Sequence, residues 1–215
     1  MIGHTNKELA GNYPNKNYTN DVFREELLKE FNEVYDGDVI KHFYVGDGKI
    51  NEELNDVLID FASDFTFVYS TERSIDRYLE ANARSVYRYM FSYRGGRNRG
   101  ILMKNLTSDG ASHGDDLGYL FDMVLFEGQT PSDEDQTVID VMTAMWTNFA
   151  KYGNPTPSTT DVVPVAWRPV DQLRRPYLSI DNSVSLRSRL FQQRMAFWDL
   201  YYKLHGDHVK GYSRK

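Results

Sequence analysis

Residues 110–114 read Gly-Ala-Ser-His-Gly, which sets a hydroxyl, Ser112, and an imidazole, His113, side by side between glycines. The pentapeptide fits G-x-S-x-G, the pattern that holds a nucleophilic serine on a sharp strand-to-helix turn. Two features oppose that role for Ser112. The segment before it, Lys104 to Asp109, is polar and has no strand pattern, and a histidine in the adjacent position is badly placed to meet the hydroxyl in line. His113 is the better candidate for chemistry. An imidazole titrating near about pH 6.5 can take a hydroxyl proton and return it to a leaving group when a carboxylate holds its other nitrogen. Asp115 and Asp116 lie close along the chain, so the competing reading is a loop histidine satisfied by one of those acids. His4, His42, His205 and His208 have no paired spacing suited to zinc, and neither a metal nor a cofactor is expected.

A reactive loop needs elements to hold it. Ser85 to Tyr93 (SVYRYMFSY) is rich in aromatic and β-branched residues and stops at Gly95-Gly96, which predicts a largely buried strand ahead of the loop. After the loop, Ser132 can cap a helix with Asp133, Glu134 and Asp135 in its first turn. Val138, Val141, Met142, Met145, Trp146 and Phe149 form that helix's apolar stripe, read as core, and Gly153-Asn154-Pro155 ends it. Helices are also predicted from Asp21 to Tyr35 (capped by Asn20 and closed at Gly37), from Asn51, from Asp64 to Arg84, and from Ser185 to Leu204. A short strand is predicted around Tyr177–Ile180. Three helices thus precede any clear strand, and the strand at 85–93 has too few visible neighbours to satisfy its backbone. The missing strands are expected before Met1, where the sequence starts without a cap or turn.

The composition limits the functions. With 40% hydrophobic residues, 14% aromatic and 26% charged among 215, the chain can build a packed core, and disordered, collagen-like and coiled-coil classes are excluded. A net charge of −6 makes nucleic acid an unsuitable partner. The absence of cysteine removes disulfides and thiolate chemistry. No apolar run approaches the roughly 18 residues of a membrane span, and the first residues are unlike a signal peptide.

Read as Gly110-x-x-His113-x-x-Asp116 followed by Leu117-Gly118-Tyr119-Leu120-Phe121, the same loop resembles that of the type-B carboxylesterase and cholinesterase branch of the α/β-hydrolases, insect esterases in particular. In that family the loop follows a late core strand, for which residues 85–93 are a match, and carries the catalytic histidine. Met145 to Pro155 is similar to a family helix ending W-x-x-F-A-x-x-G-x-P, and Trp167 to Ile180 and Phe197-Trp198 match later segments. The resemblance spans essentially the whole chain but only the C-terminal part of the longer family domain. It implies an α/β fold, with an incomplete central sheet flanked by helices over residues 1–215.

It also implies a site. The family's triad acid follows a glycine by five residues, as Glu8 follows Gly3, so Glu8 becomes the acid expected to orient His113; Leu9 departs from the glycine that commonly comes next. Asp116 is read as a loop and helix-start stabiliser. The implied activity is carboxylic ester hydrolysis on a small apolar ester by a Ser-His-Glu triad, with the serine and its oxyanion loop absent from these residues and the chain inactive alone. The rival readings are a non-catalytic adhesion or scaffold protein of the same fold, opposed by retention of Glu8 and His113, and a stand-alone binding module. Asn17-Tyr18-Thr19 and Asn105-Leu106-Thr107 fit the glycosylation pattern and, with the resemblance, tilt the compartment towards secretion. No oligomeric state follows from the sequence.

Overall fold

The computed structural model describes residues 1–12, 22–31, 37–48, 54–104, 106 and 108–209. Its centre is a mixed sheet of four strands in the order β1-β2-β3-β4: β1 (Ile2–Thr5), β2 (Arg88–Phe91), β3 (Pro176–Ile180) and β4 (Val184–Ser188). The first three strands run parallel, and β4 closes an antiparallel hairpin on β3. β2 is internal, as its aromatic run demands, with β1 on one side and β3 on the other. Both neighbours of that strand therefore lie within the chain.

Alternation along β2 sends its side chains to two different environments. Tyr87, Phe91 and Tyr93 join Leu178 and Ile180 against α6 (Asp133–Tyr152), whose buried Val138, Val141, Met142 and Met145 are the predicted stripe. Trp146 and Phe149 complete it at partial burial. Ser132 caps this helix by accepting from the Asp135 amide at 3.1 Å, and Gly153 ends it in a left-handed conformation, both as read from the sequence. On the opposite face Arg88 is fully buried and paired with Glu72 of α4 (Tyr69–Glu80), whose second oxygen accepts from Arg175 at 2.6 Å. Two buried charges survive here because each meets its opposite.

The second core is aromatic. Phe23 of α1 (Val22–Leu27), Phe61 of α3 (Asn55–Ser63), Phe65, and Trp198 and Tyr202 of α7 (Gln192–His205) pack together with Ile40 of α2 (Gly37–Tyr44). Trp198 is wholly buried, so its truncation to Ala should cost about 3–5 kcal/mol.

Several boundaries differ from expectation. The helix expected over 21–35 is described only as α1, with Phe31 bridging to Val209; Asn20 and Asp21 and residues 32–36 lie outside the described residues. Gly37 opens α2 instead of closing its predecessor. The helix expected to start at Asp64 begins there as a π turn (Asp64–Val68) and runs on as α4 only to Glu80, with Asn82 in the left-handed region just beyond. The closing helix expected from Ser185 starts at Gln192, because 184–188 forms β4. A short helix, α5 (Arg99–Lys104), occupies what was read as loop. Asn51 and both glycosylation tripeptides fall wholly or partly outside the described residues.

Candidate functional site

β1 leads directly to Glu8. Ile2 and Asn6 donate their amides to Tyr87 and Phe91 of the β2 segment, so the intervening Thr5 amide points away from β2. The chain turns at Asn6 to Leu9 and brings Glu8 back over that amide, which donates to Glu8 Oε1 at 2.7 Å. Two anchors from the end of α3 hold the turn: Lys7 Nζ donates to Asp60 at 2.9 Å, and the Leu9 amide to Ser63 Oγ at 3.1 Å.

His113 comes from the loop after α5. Lys7 N–H donates to the Ala111 carbonyl at 3.0 Å, Ala111 N–H to Asn6 Oδ1 at 2.8 Å, and His113 N–H to the Glu8 carbonyl at 3.1 Å, which laces the two loops together. Gly110, at φ +131, could not carry a side chain, since a Cβ there would stand 2.4 Å from the Asn6 amide nitrogen. Gly114, at φ +76, makes the turn that leads into the 3-10 segment Asp115–Tyr119.

Across this junction Glu8 Oε2 meets His113 Nδ1 at 2.7 Å, bridging 105 residues of sequence. Glu8 is 5% exposed, whereas the His113 side chain is 67% exposed. A carboxylate oxygen accepts, so Nδ1 carries the shared proton. Burial raises the Glu8 pKa above its ordinary value, while the bonds from Thr5 N–H and His113 pull it back. The Phe67 ring, carried by the π turn, lies with its centroid 5.1 Å from the imidazole.

Neither nearby aspartate competes for His113. Asp115, 1% exposed, accepts from Ser112 N at 2.7 Å, Gly100 N at 2.7 Å, Asn98 Nδ2 at 3.1 Å and Ser112 Oγ at 3.1 Å. Asp116 accepts from Tyr89 Oη at 3.0 Å at the start of the 3-10 segment, and burial raises its pKa. Ser112 is buried, and its hydroxyl donates to Asp115. Among the described residues no strand runs into Gly110, so the G-x-S-x-G match here is not a strand-to-helix elbow.

The imidazole opens into a cleft of about 360 Å³ lined by Glu8, Leu9, Phe67, Arg99, Met103 and Ser112 among others. The sequence pointed to none of Phe67, Arg99 and Met103. Phe67 sits on a π turn that helical periodicity does not reveal, and the other two lie on a helix too short to show a period. His4, 4% exposed, donates through Nδ1 to the Thr5 carbonyl at 2.8 Å; the described residues contain no cluster of three His, Cys, Asp or Glu side chains able to hold a metal. No helix among them is long and apolar enough to cross a membrane.

The family model for the carboxylesterase family matches residues 2–198. Rat (Rattus norvegicus) bile salt-activated lipase is 30% identical over 166 residues, which is 74% of this chain and 26% of that protein. Carboxylesterase 4A of Bos taurus is 31% identical over 66% of this chain and 24% of its own length. Juvenile hormone esterase of Tribolium castaneum is 32% identical over 54% and 21%. The chain thus spans about a quarter of the length of these relatives. The crystal structure of juvenile hormone esterase from Manduca sexta, with OTFP covalently attached, superposes with a TM-score of 0.73 at 22% identity, over 94% of this chain and 40% of that one. The architecture is that of the α/β-hydrolases, of which this sheet is a part.

Proposed function

The chain belongs to the carboxylesterase family, and from that membership and the site's geometry we propose that it supplies the acid–base half of a serine carboxylic ester hydrolase. His113 is the base and Glu8 its orienting acid. The observation that carries the reading is the 2.7 Å contact between Glu8 Oε2 and His113 Nδ1, on an imidazole that lines the cleft.

The chemistry follows from that geometry. A serine outside these 215 residues gives its hydroxyl proton to His113 Nε2 while its oxygen bonds to the ester carbonyl carbon. The imidazolium, stabilised by Glu8, passes the proton to the departing alcohol oxygen as the ester C–O bond breaks, leaving an acyl-serine. Water then repeats the sequence: its proton goes to Nε2, its oxygen to the carbonyl carbon, and the proton returns to the serine as the acid leaves. Ester and water become acid and alcohol, with the imidazole restored. Leu9, Phe67 and Met103 favour an apolar ester, and relatives named as a lipase and a juvenile hormone esterase are consistent with such substrates.

Glu8→Gln tests the pairing with little change of shape. Thr5 N–H already donates to Oε1, so the glutamine keeps its oxygen there and turns its NH₂ towards His113 Nδ1. Nδ1 must then accept, and the proton moves to Nε2, the nitrogen that has to be bare. Imidazole ¹⁵N shifts should report Nδ1–H in the parent and Nε2–H in the variant, and in a polypeptide that also carries the nucleophile kcat should fall on the order of 10⁴-fold. Identical tautomers in the two proteins would remove the basis of the proposal.

A further inference from the structure

The wall of the cleft beside His113 holds a cation that the proposed hydrolytic cycle does not use. Arg99, at the start of α5, is half-buried, and its Nη1 would stand 2.9 Å from a Cβ built on Gly114, so the guanidinium lies against the backbone next to the base. Among the described residues it has no carboxylate partner, whereas Arg88, Arg97, Arg175 and Arg194 are each paired with an acid. The acids around the His113 loop are already committed: Glu8 to Thr5 and His113, Asp115 to Ser112, Gly100 and Asn98, and Asp116 to Tyr89. An unpaired guanidinium on a partly desolvated wall, in a cleft also lined by Leu9, Phe67 and Met103, matches a ligand with an apolar chain and an anionic end.

We propose that Arg99 is a specificity-determining residue that selects esters carrying a second, anionic group, with the ester end at His113 and the anion at the guanidinium. This rests on the proposed esterase reading and extends it from apolar esters to amphiphilic, negatively charged ones. The chain's net charge of −6 repels anions at long range, so the preference has to come from this local contact.

The test uses the 215-residue chain, isotope-labelled, with two probes that differ essentially in charge: monomethyl adipate, an ester with a free carboxylate, and dimethyl adipate, its neutral diester. Saturable shifts of the His113 ring and Arg99 Nε–H resonances should show the monoester binding about tenfold more tightly, the scale of one hydrogen-bonded ion contact. Arg99→Gln should bring the monoester to the affinity of the diester, and Arg99→Lys should keep most of the difference. Intermolecular NOEs should run from the methoxy protons to His113 and from the methylene beside the carboxylate to Arg99. Equal affinities, or a preference that survives Arg99→Gln in a variant with an unchanged melting midpoint, overturns the proposal. Reversed NOEs would assign Arg99 to the released acid and overturn the substrate assignment. The tautomer experiment on Glu8→Gln reports on the acid–base pair separately, so failure of either idea is visible without the other.

Discussion

Asp115 governs the geometry of the loop that carries His113 without touching the imidazole. Its carboxylate gathers the amides of Gly100 and Ser112, the hydroxyl of Ser112 and the Asn98 side chain. Asn98 in turn accepts from Gly95 N–H and Tyr119 Oη and donates to the Tyr93 carbonyl, so β2's exit, α5 and the histidine loop share one buried network. Deleting the carboxylate leaves several buried donors unmet. Asp115→Ala should therefore lower the unfolding free energy by about 3–5 kcal/mol in denaturant titration, and Asp115→Asn should recover only part, because its NH₂ faces a donor. A loss below about 0.5 kcal/mol for the alanine variant, the level of an ordinary surface change, would show that the network is not what holds the loop. From the sequence Asp115 was one of two acids able to satisfy His113. Chain proximity suggested that pairing, and a buried network assembled from residues 95–119 gave the carboxylate other work.

At the scale of elements, the π turn Asp64–Val68 between α3 and α4 is the device that aims Phe67 at the imidazole. Its first residue, Asp64, is fully buried, accepting from Tyr44 Oη at 2.7 Å and facing Arg194 Nε at 3.0 Å. Burial outweighs both partners and pushes its pKa from 3.8 up to about 7. Between those values the folded chain holds a proton that the unfolded chain has released, so Asp64 makes the fold less stable as pH rises through that window. Asp64→Asn cannot ionise. Its melting midpoint relative to the parent should move in the variant's favour between pH 4.5 and pH 7.5, by about 2–4 °C for each kcal/mol relieved. His4, whose pKa burial and the charge on Arg88 lower to about 4, contributes the opposite slope, but equally in both proteins. A midpoint difference that stays flat across this range would mean that Asp64 is ionised throughout. Elements with a long period or a full set of caps, such as α6, were legible in the sequence. β1 and α5 were not: four residues containing a glycine and a histidine, and six with a glycine in second place, show no period, and only tertiary contacts select them. β4 followed a readable Asp-Asn-Ser turn, yet its VSLRS pattern was absorbed into the helix behind it.

At the scale of the molecule, β1 is an end strand of the four described, and Glu8 accepts from the amide of its last residue, so the carboxylate proposed to orient His113 is anchored to the sheet. His113 and Glu8 became legible together only through the family pattern, because 105 residues separate them and neither has a local signature of its own. The chain spans about a quarter of its relatives' length, and the one serine in a nucleophile-like motif is buried and donates its hydroxyl to Asp115. On the proposed reading the chain carries an acid–base pair without an activated alcohol, which cannot form an acyl-enzyme. Loss of the nucleophile alone costs on the order of 10⁶ in kcat in a serine hydrolase. The 215-residue chain should accordingly hydrolyse p-nitrophenyl butyrate no faster than the same concentration of its His113→Ala variant. A fluorophosphonate should leave every one of its serines unmodified by mass spectrometry. Adduct formation at Ser112 would show instead that its hydroxyl can leave Asp115 for the imidazole, and would place the nucleophile within this chain.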